Sequence, residues 1–329
     1  MSNFDFSNLG PDLILDAIES VGIYPESGLL PLNSYENRVY QFKADDSQRY
    51  VVKFYRPERW SDDTILEEHT FCDDLLAHDV PLAAPIKIDG KTLFEFNDFR
   101  FCIFKSVGGR MFELDNLDQL EWLGRLLGKL HKASSNSLFQ SRDTINIEQE
   151  LKASTEVIKQ VNFIPPYLQN TFFSDLALLT ERTLEHNNTN YKTIKLHGDC
   201  HAGNILWQSH DAKSDAILVD FDDCLNGPAI QDIWMMLNGD RQEKLMQLDV
   251  LINAYEEFHD FNHAEFSLIE PLRARRMVNY MAWISNRWSD PAFPRNFSWF
   301  ATDKYWEQQI LAMKEQIAAL NEATLKLFP

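Results

Sequence analysis

His197-Gly198-Asp199-Cys200-His201-Ala202-Gly203-Asn204-Ile205-Leu206-Trp207, a polar insert, and then Ala216-Ile217-Leu218-Val219-Asp220-Phe221-Asp222-Asp223 form the stretch around which the chain is organised. The apolar runs Ile205-Leu206-Trp207 and Ile217-Leu218-Val219 flank hydrophilic residues, which predicts a small β-hairpin. A carboxylate stands just before the first strand, an amide leads into it, and a second carboxylate ends the second strand. The hairpin therefore brings Asp199, Asn204 and Asp220 to one edge. Asn204 and Asp220 offer the oxygen donors that Mg²⁺ prefers, in a shell it usually shares with substrate phosphates. Asp199 is left to orient or deprotonate a hydroxyl. A base Asp, a metal-binding Asn just downstream and a metal-binding Asp on the next strand are the working parts of phosphoryl transfer.

These residues resemble the H-G-D-x-H-x-x-N and I-D-[FW]-[DE] motifs of the aminoglycoside/choline kinase-like phosphotransferase family. The likeness extends from about Leu29 to Pro294 and is most specific over Leu196–Asn204 and Val219–Pro228. There it points to a bacterial, stress-linked branch of the family. The resemblance implies an α+β, protein-kinase-like two-lobed fold, with a small antiparallel β-sheet lobe carrying one main helix and a larger, mainly helical lobe. It also implies ATP as co-substrate, Mg²⁺ as cofactor, and Ser/Thr residues of proteins as acceptors. The wider family mostly phosphorylates small alcohols such as choline, homoserine or aminoglycosides, and a small-molecule kinase is the alternative reading. A catalytically dead scaffold is disfavoured, because every side chain needed for phosphoryl transfer is present. Gly198-Asp199-Cys200-His201 also imitates the G-D-x-H of binuclear metallophosphoesterases. Those enzymes need a D-x-H near the first strand and a later G-N-H-[DE], and the sequence has neither.

Composition bounds the remaining function classes. The 329 residues suffice for two lobes with substantial cores. With 50 Asp and Glu against 31 Lys and Arg, the net charge is −19. Binding to a phosphate backbone requires clustered cations, so neither nucleic acid nor an anionic membrane is an expected partner. Cys72, Cys102, Cys200 and Cys224 form no C-x-x-C pair and read as reduced thiols. Met1-Ser2-Asn3-Phe4-Asp5 lacks the basic and apolar regions of a signal peptide, and no apolar run reaches membrane-spanning length. The expectation is a cytoplasmic monomer.

Residues 1–104 read as the nucleotide-binding lobe. A helix is predicted over Pro11–Val21, then strands over Gly28–Leu32, Arg38–Lys43 and Tyr50–Tyr55. The turn Leu32-Asn33-Ser34-Tyr35-Glu36-Asn37 stands where protein kinases have a Gly-rich loop, yet it contains no glycine. Ser34 at its tip either contacts phosphate through its hydroxyl or is simply a residue that turns favour. Lys53, on the third strand, matches the Lys that holds the α/β-phosphates in kinases. Its partner is sought in the helix that Ser61 caps, Ser61–Ala77. Glu68 shares a face with Ile65, Cys72 and Leu75, whereas Glu67 lines up with Asp63, Phe71 and Asp74 on a more solvated face. Glu68 is therefore preferred. Further strands are predicted over Ala84–Ile88, Thr92–Phe96 and Arg100–Phe104. Residues 105–112, which include Gly108-Gly109, read as a hinge.

Residues 113–329 read as the helical lobe, with the catalytic loop and acceptor cleft. Helices are predicted over Leu117–Lys132, 147–161, 167–187, Asp240–Phe258, Phe266–Trp288 and Asp303–Leu327. His197 reads as structural. His201 contacts either substrate or backbone, and Asp222 either binds a second Mg²⁺ or faces solvent.

Overall fold

The computed structural model describes residues 6–210 and 213–327. The Met1–Asp5 segment scanned for targeting signals and the tip of the hairpin, 211–212, lie outside the described residues. In chain order the elements are helix α1 (Pro11–Glu19), strands β1 (Leu30–Pro31), β2 (Arg38–Lys43) and β3 (Arg49–Phe54), helix α2 (Asp62–Ala77), and strands β4 (Phe94–Phe96), β5 (Phe99–Lys105) and β6 (Arg110–Met111). Helices α3 (Leu117–Ser134), α4 (Ile147–Gln160) and α5 (Pro166–His186) follow, then strands β7 (Ile194–Leu196), β8 (Ile205–His210), β9 (Lys213–Leu218) and β10 (Leu225–Gly227). Helices α6 (Arg241–Glu256), α7 (Ile269–Arg287), α8 (Ala292–Asn296) and α9 (Asp303–Leu320) complete the described chain.

Two units divide these elements. The first comprises residues up to Asp143 together with Thr193–Gly227 and Met235–Phe261. Its five-stranded antiparallel sheet has the order β1-β2-β3-β5-β4. Alternation along β3 sends Tyr50, Val52 and Phe54 into a core shared with Ile14, Ala17 and Ile18 of α1. Lys53 leaves by the opposite face. On the α2 side, Tyr55 and Ile65 pack with Cys102, the cross-strand neighbour of Lys53. The predicted strand over 84–88 is reduced to isolated bridges from Pro85 to Phe104 and from Ile88 to Lys91, and only Phe94–Phe96 of 92–96 is paired. Pro85 accounts for part of this, since it removes a ladder donor.

Helices α3 and α6 cross in the same unit. A Cβ on Gly124 would stand 2.4 Å from Leu251 O, and one on Gly128 the same distance from Tyr255 O, so glycine is what permits the approach. Buried His131 meets the Tyr255 hydroxyl at 3.0 Å across this interface. The second unit, Thr144–Lys192 with Pro228–Trp234 and Asn262 onward, is helical. Within it, Arg275 and Asn279 of α7 donate to the Glu150 carboxylate of α4 at 2.6–2.8 Å. Helix α9 stops at Leu320, short of the predicted 327, where Asn321 closes the last turn through its N–H to Ala318 O and Ala319 O. Among the described residues, no helix is long and apolar enough to cross a membrane.

Candidate active site

The hairpin forms as expected: β8 and β9 pair antiparallel, with Ile205 opposite Leu218. Val219 N donates to Asn204 O at 3.0 Å, which extends the ladder one residue past the strands and sets Asn204 beside the approach to Asp220. The end of β9 is also clamped from outside, where Ala83 N donates to Leu218 O and Leu218 N to Pro81 O. Asp220 then takes a left-handed backbone conformation, φ 62°, and turns the chain out of the strand. Its side chain is 53% exposed.

The loop carrying Asp199 is fixed from below. His197 is fully buried, its Nε2 3.0 Å from Val219 O and its ring centroid 4.5 Å from that of Phe221. Gly198 has φ 86°, and a Cβ there would stand 2.2 Å from Asp223 O. Only glycine lets the loop lie this close to the turn after β9. The Asn204 amide donates to Asp199 O at 3.0 Å, leaving its own carbonyl oxygen for another partner. His201, left open by the sequence, serves the loop itself. Its Nδ1 accepts from Gly203 N at 3.0 Å, which puts the proton of the neutral ring on Nε2, 3.4 Å from Asp199 Oδ2.

Opposite this edge lies a buried ion network. Lys53, 4% exposed, has Nζ 3.0 Å from Asp222 Oδ1, 3.4 Å from Asp220 Oδ1 and 3.5 Å from Glu68 Oε1. Burial disfavours its charge, but Asp222, Glu68 and Asp220 outweigh that cost and hold the ammonium well above the usual lysine range. Glu68 is 1% exposed. Burial raises its pKa against the opposing pull of Lys53 and Arg142. Glu67 instead accepts from Gln140 N and Ser141 N at 2.6 and 2.8 Å.

Asp222 does not face solvent. It is buried between Lys53 and Arg59, and these cations hold its carboxyl well below the ordinary range in spite of burial. Arg59 also pairs with Asp223.

Ser34 stands apart. It is half-buried in the β1–β2 turn, and among the described residues no hydrogen bond joins it to Asp199, Asn204, Asp220, Lys53 or Glu68. What replaces glycine in that turn is anchoring by arginine. Arg56 donates to Glu36 O at 2.9 Å and to Tyr35 O at 3.2 Å, while its own N–H donates to the buried Asn37 Oδ1 at 3.0 Å. Sequence reading missed Arg56, Arg59 and Arg142. All three lie in loops, where no periodic pattern marks them.

The donor set suits Mg²⁺. Asn204 and Asp220 offer side-chain oxygens at one edge that could hold it, and this ion commonly takes only one or two carboxylates beside phosphate and water. Among the described residues no group of three or more His, Cys, Asp or Glu side chains is arranged to hold a metal.

The phosphotransferase enzyme family profile matches residues 28–269 of this sequence. The chain belongs to that family. It is thus a phosphotransferase, and its curated relatives are kinases. It is 48% identical over 328 residues to stress response kinase A of Escherichia coli strain K12, covering 100% of this chain and 98% of that protein. It is 48% identical over 326 residues to the serine/threonine protein kinase RdoA of Salmonella typhimurium strain LT2, covering 99% and 98%. Among solved structures, an amicoumacin kinase in complex with AMP-PNP, Ca²⁺ and its substrate has a TM-score of 0.71 at 18% identity, covering 97% of this phosphotransferase and 95% of that chain. A microcompartment-associated aminopropanol kinase has a TM-score of 0.68 at 18% identity, covering 96% and 99%. At such identities the two structures establish the fold alone.

Proposed function

We propose that this phosphotransferase is an ATP- and Mg²⁺-dependent kinase that transfers the γ-phosphoryl group to Ser/Thr hydroxyls of proteins in a stress response. One observation carries the reading: the Asp199, Asn204 and Asp220 edge faces the Lys53–Glu68 pair, with Asp220 3.4 Å from Lys53. The two curated relatives, named a stress response kinase and a serine/threonine protein kinase, support the acceptor class. In this reading Asp199 accepts the hydroxyl proton of the acceptor and aims its oxygen in line. Lys53, oriented by Glu68, holds the α/β-phosphates, and Ser34 meets phosphate from the β1–β2 turn. Asn204 and Asp220 hold the metal, which when bound neutralises charge on the phosphate oxygens. Residues 1–104 act as the nucleotide lobe, 105–112 as hinge and 113–329 as the acceptor lobe, in a cytoplasmic monomer.

Incubation with labelled ATP and Mg²⁺, first alone, then with generic acceptor proteins and a metabolite panel, tests this. Acid-stable phosphoserine or phosphothreonine is expected, and none when the metal is chelated. Label on small alcohols with none on any polypeptide would overturn the protein-kinase assignment in favour of a small-molecule kinase.

A further inference from the structure

Arg142, in the loop between α3 and α4, has no exposed side-chain surface. Its guanidinium makes four hydrogen bonds. Nε donates to Thr64 O at 3.0 Å and Nη2 to Glu68 Oε2 at 3.0 Å, both on α2. Nη1 donates to Asp222 O at 2.8 Å and to Cys224 O at 3.1 Å, both in the turn that follows Asp220. A guanidinium keeps its charge in a protein and presents its donors in one rigid plane, so the four acceptors are held in fixed relation. The carboxylate of Glu68 is divided as a result, one oxygen taken by Arg142 and the other left 3.5 Å from Lys53.

The segment around Arg142 is itself tied on two sides. Toward α2, Gln140 N and Ser141 N donate to Glu67. Toward the turn, Phe139 N donates to Asn226 Oδ1 at 2.9 Å, Asn226 Nδ2 returns to Phe139 O at 3.1 Å, and Asn226 N donates to Asp143 O at 2.9 Å. So firm an anchorage is more than a buried counter-ion for Glu68 requires.

We propose that Arg142 is a positioning residue for phosphoryl transfer, fixing Glu68 against Lys53 and holding the 222–224 turn that sets the direction of Asp220. This rests on the kinase reading, in which Lys53 takes the phosphates and Asp220 the metal. Arg142 touches neither; it acts through the two segments that do.

Calorimetric titration with Mg²⁺ and the non-hydrolysable analogue AMP-PNP, beside turnover and thermal unfolding, tests it on the full chain. Arg142→Met and Glu68→Gln should each weaken nucleotide binding about tenfold. Their combination should cost about the same tenfold, because coupled residues are not additive, whereas independent sites would multiply to about a hundredfold. Arg142→Lys keeps a charge near Glu68 but loses the planar fork. It should bind nucleotide within about threefold of wild type while turnover falls about tenfold or more, since the 222–224 turn is released. Should Arg142→Met fail to fold, that split between affinity and turnover carries the test alone. A multiplicative double variant, or Arg142→Lys with wild-type affinity and wild-type turnover, overturns the assignment while leaving the kinase reading intact. Failure of the wild type to bind the nucleotide overturns both.

Discussion

The two sides of the candidate active site are built by different physics. The Asp199–Asn204–Asp220 edge is local. Its geometry follows from hairpin register, one positive-φ glycine and short loop hydrogen bonds, and its working carboxylate Asp220 is more than half exposed. The Lys53 side is assembled from distant segments and is dry. Its links span 74 residues between Glu68 and Arg142 and 163 between Arg59 and Asp222. The edge is therefore expected to lose a charge without unfolding, whereas on the buried side the contacts proposed for the chemistry are also those that hold the fold.

The sharpest way to break this comparison is to neutralise the two carboxylates of the edge separately. Asp199→Asn keeps size and hydrogen bonding but loses the carboxylate proposed to accept the proton, so turnover should fall by about 10²- to 10⁴-fold, toward the lower end for a loose transition state. Nucleotide affinity and folding stability should stay near wild type. Asp220→Asn removes the charge of the proposed metal ligand, so affinity for Mg·ATP and turnover should fall together. Calorimetry on both variants decides, and loss of binding in Asp199→Asn with retention in Asp220→Asn would reverse the two roles.

On the buried side the expected loss is in stability as well. Lys53→Met leaves Asp222 and Glu68 without their shared cation. Breaking a buried ion pair typically costs about 3–5 kcal/mol; Arg59 and Arg142 remain to compensate, so we expect about 2–4 kcal/mol by urea denaturation. A change below about 0.5 kcal/mol, the usual size for an exposed site, would show that water reaches these charges.

A carboxylate with no cationic partner among the described residues sharpens the point. Glu265, buried in the helical unit, accepts the Ile230 N–H at 3.1 Å, and burial, opposed only by backbone donors, pushes its pKa up to about 7. Because the folded value lies above the unfolded one, its stabilising contribution is complete below about pH 4.5 and is lost as pH rises through 7. Glu265→Gln keeps the acceptor and removes the titration. Its stability should exceed that of wild type by about 1–3 kcal/mol at pH 8, with the advantage fading toward pH 5. Parallel pH profiles for the two proteins would rule this out.

The same division explains what could be read from the sequence. Asp199, Asn204 and Asp220 were legible because one hairpin in one register brings them together. Glu68 could be separated from Glu67 because helical phase is a local property, and α2 buries it beside Ile65, Cys72 and Leu75. Arg59 and Arg142 were not legible: each lies in a loop, where spacing carries no period, and each finds its partners only after the elements dock. Asp222 escaped for the same reason: it lies in the turn after β9, where strand alternation no longer holds, and it meets its two cations only there.

The hydrogen atom that serves as the side chain of Gly198 has a consequence for how this protein can change. With Asp223 O where a Cβ would have to be, the distance between the loop that carries Asp199 and the turn that follows Asp220 is set by an absence of atoms. Position 198 works as a ruler with a single mark. Any other residue would lengthen it, moving the Asp199 loop away from the turn after Asp220 while altering neither carboxylate. A change at position 198 would therefore disturb the site without touching any of its charged side chains.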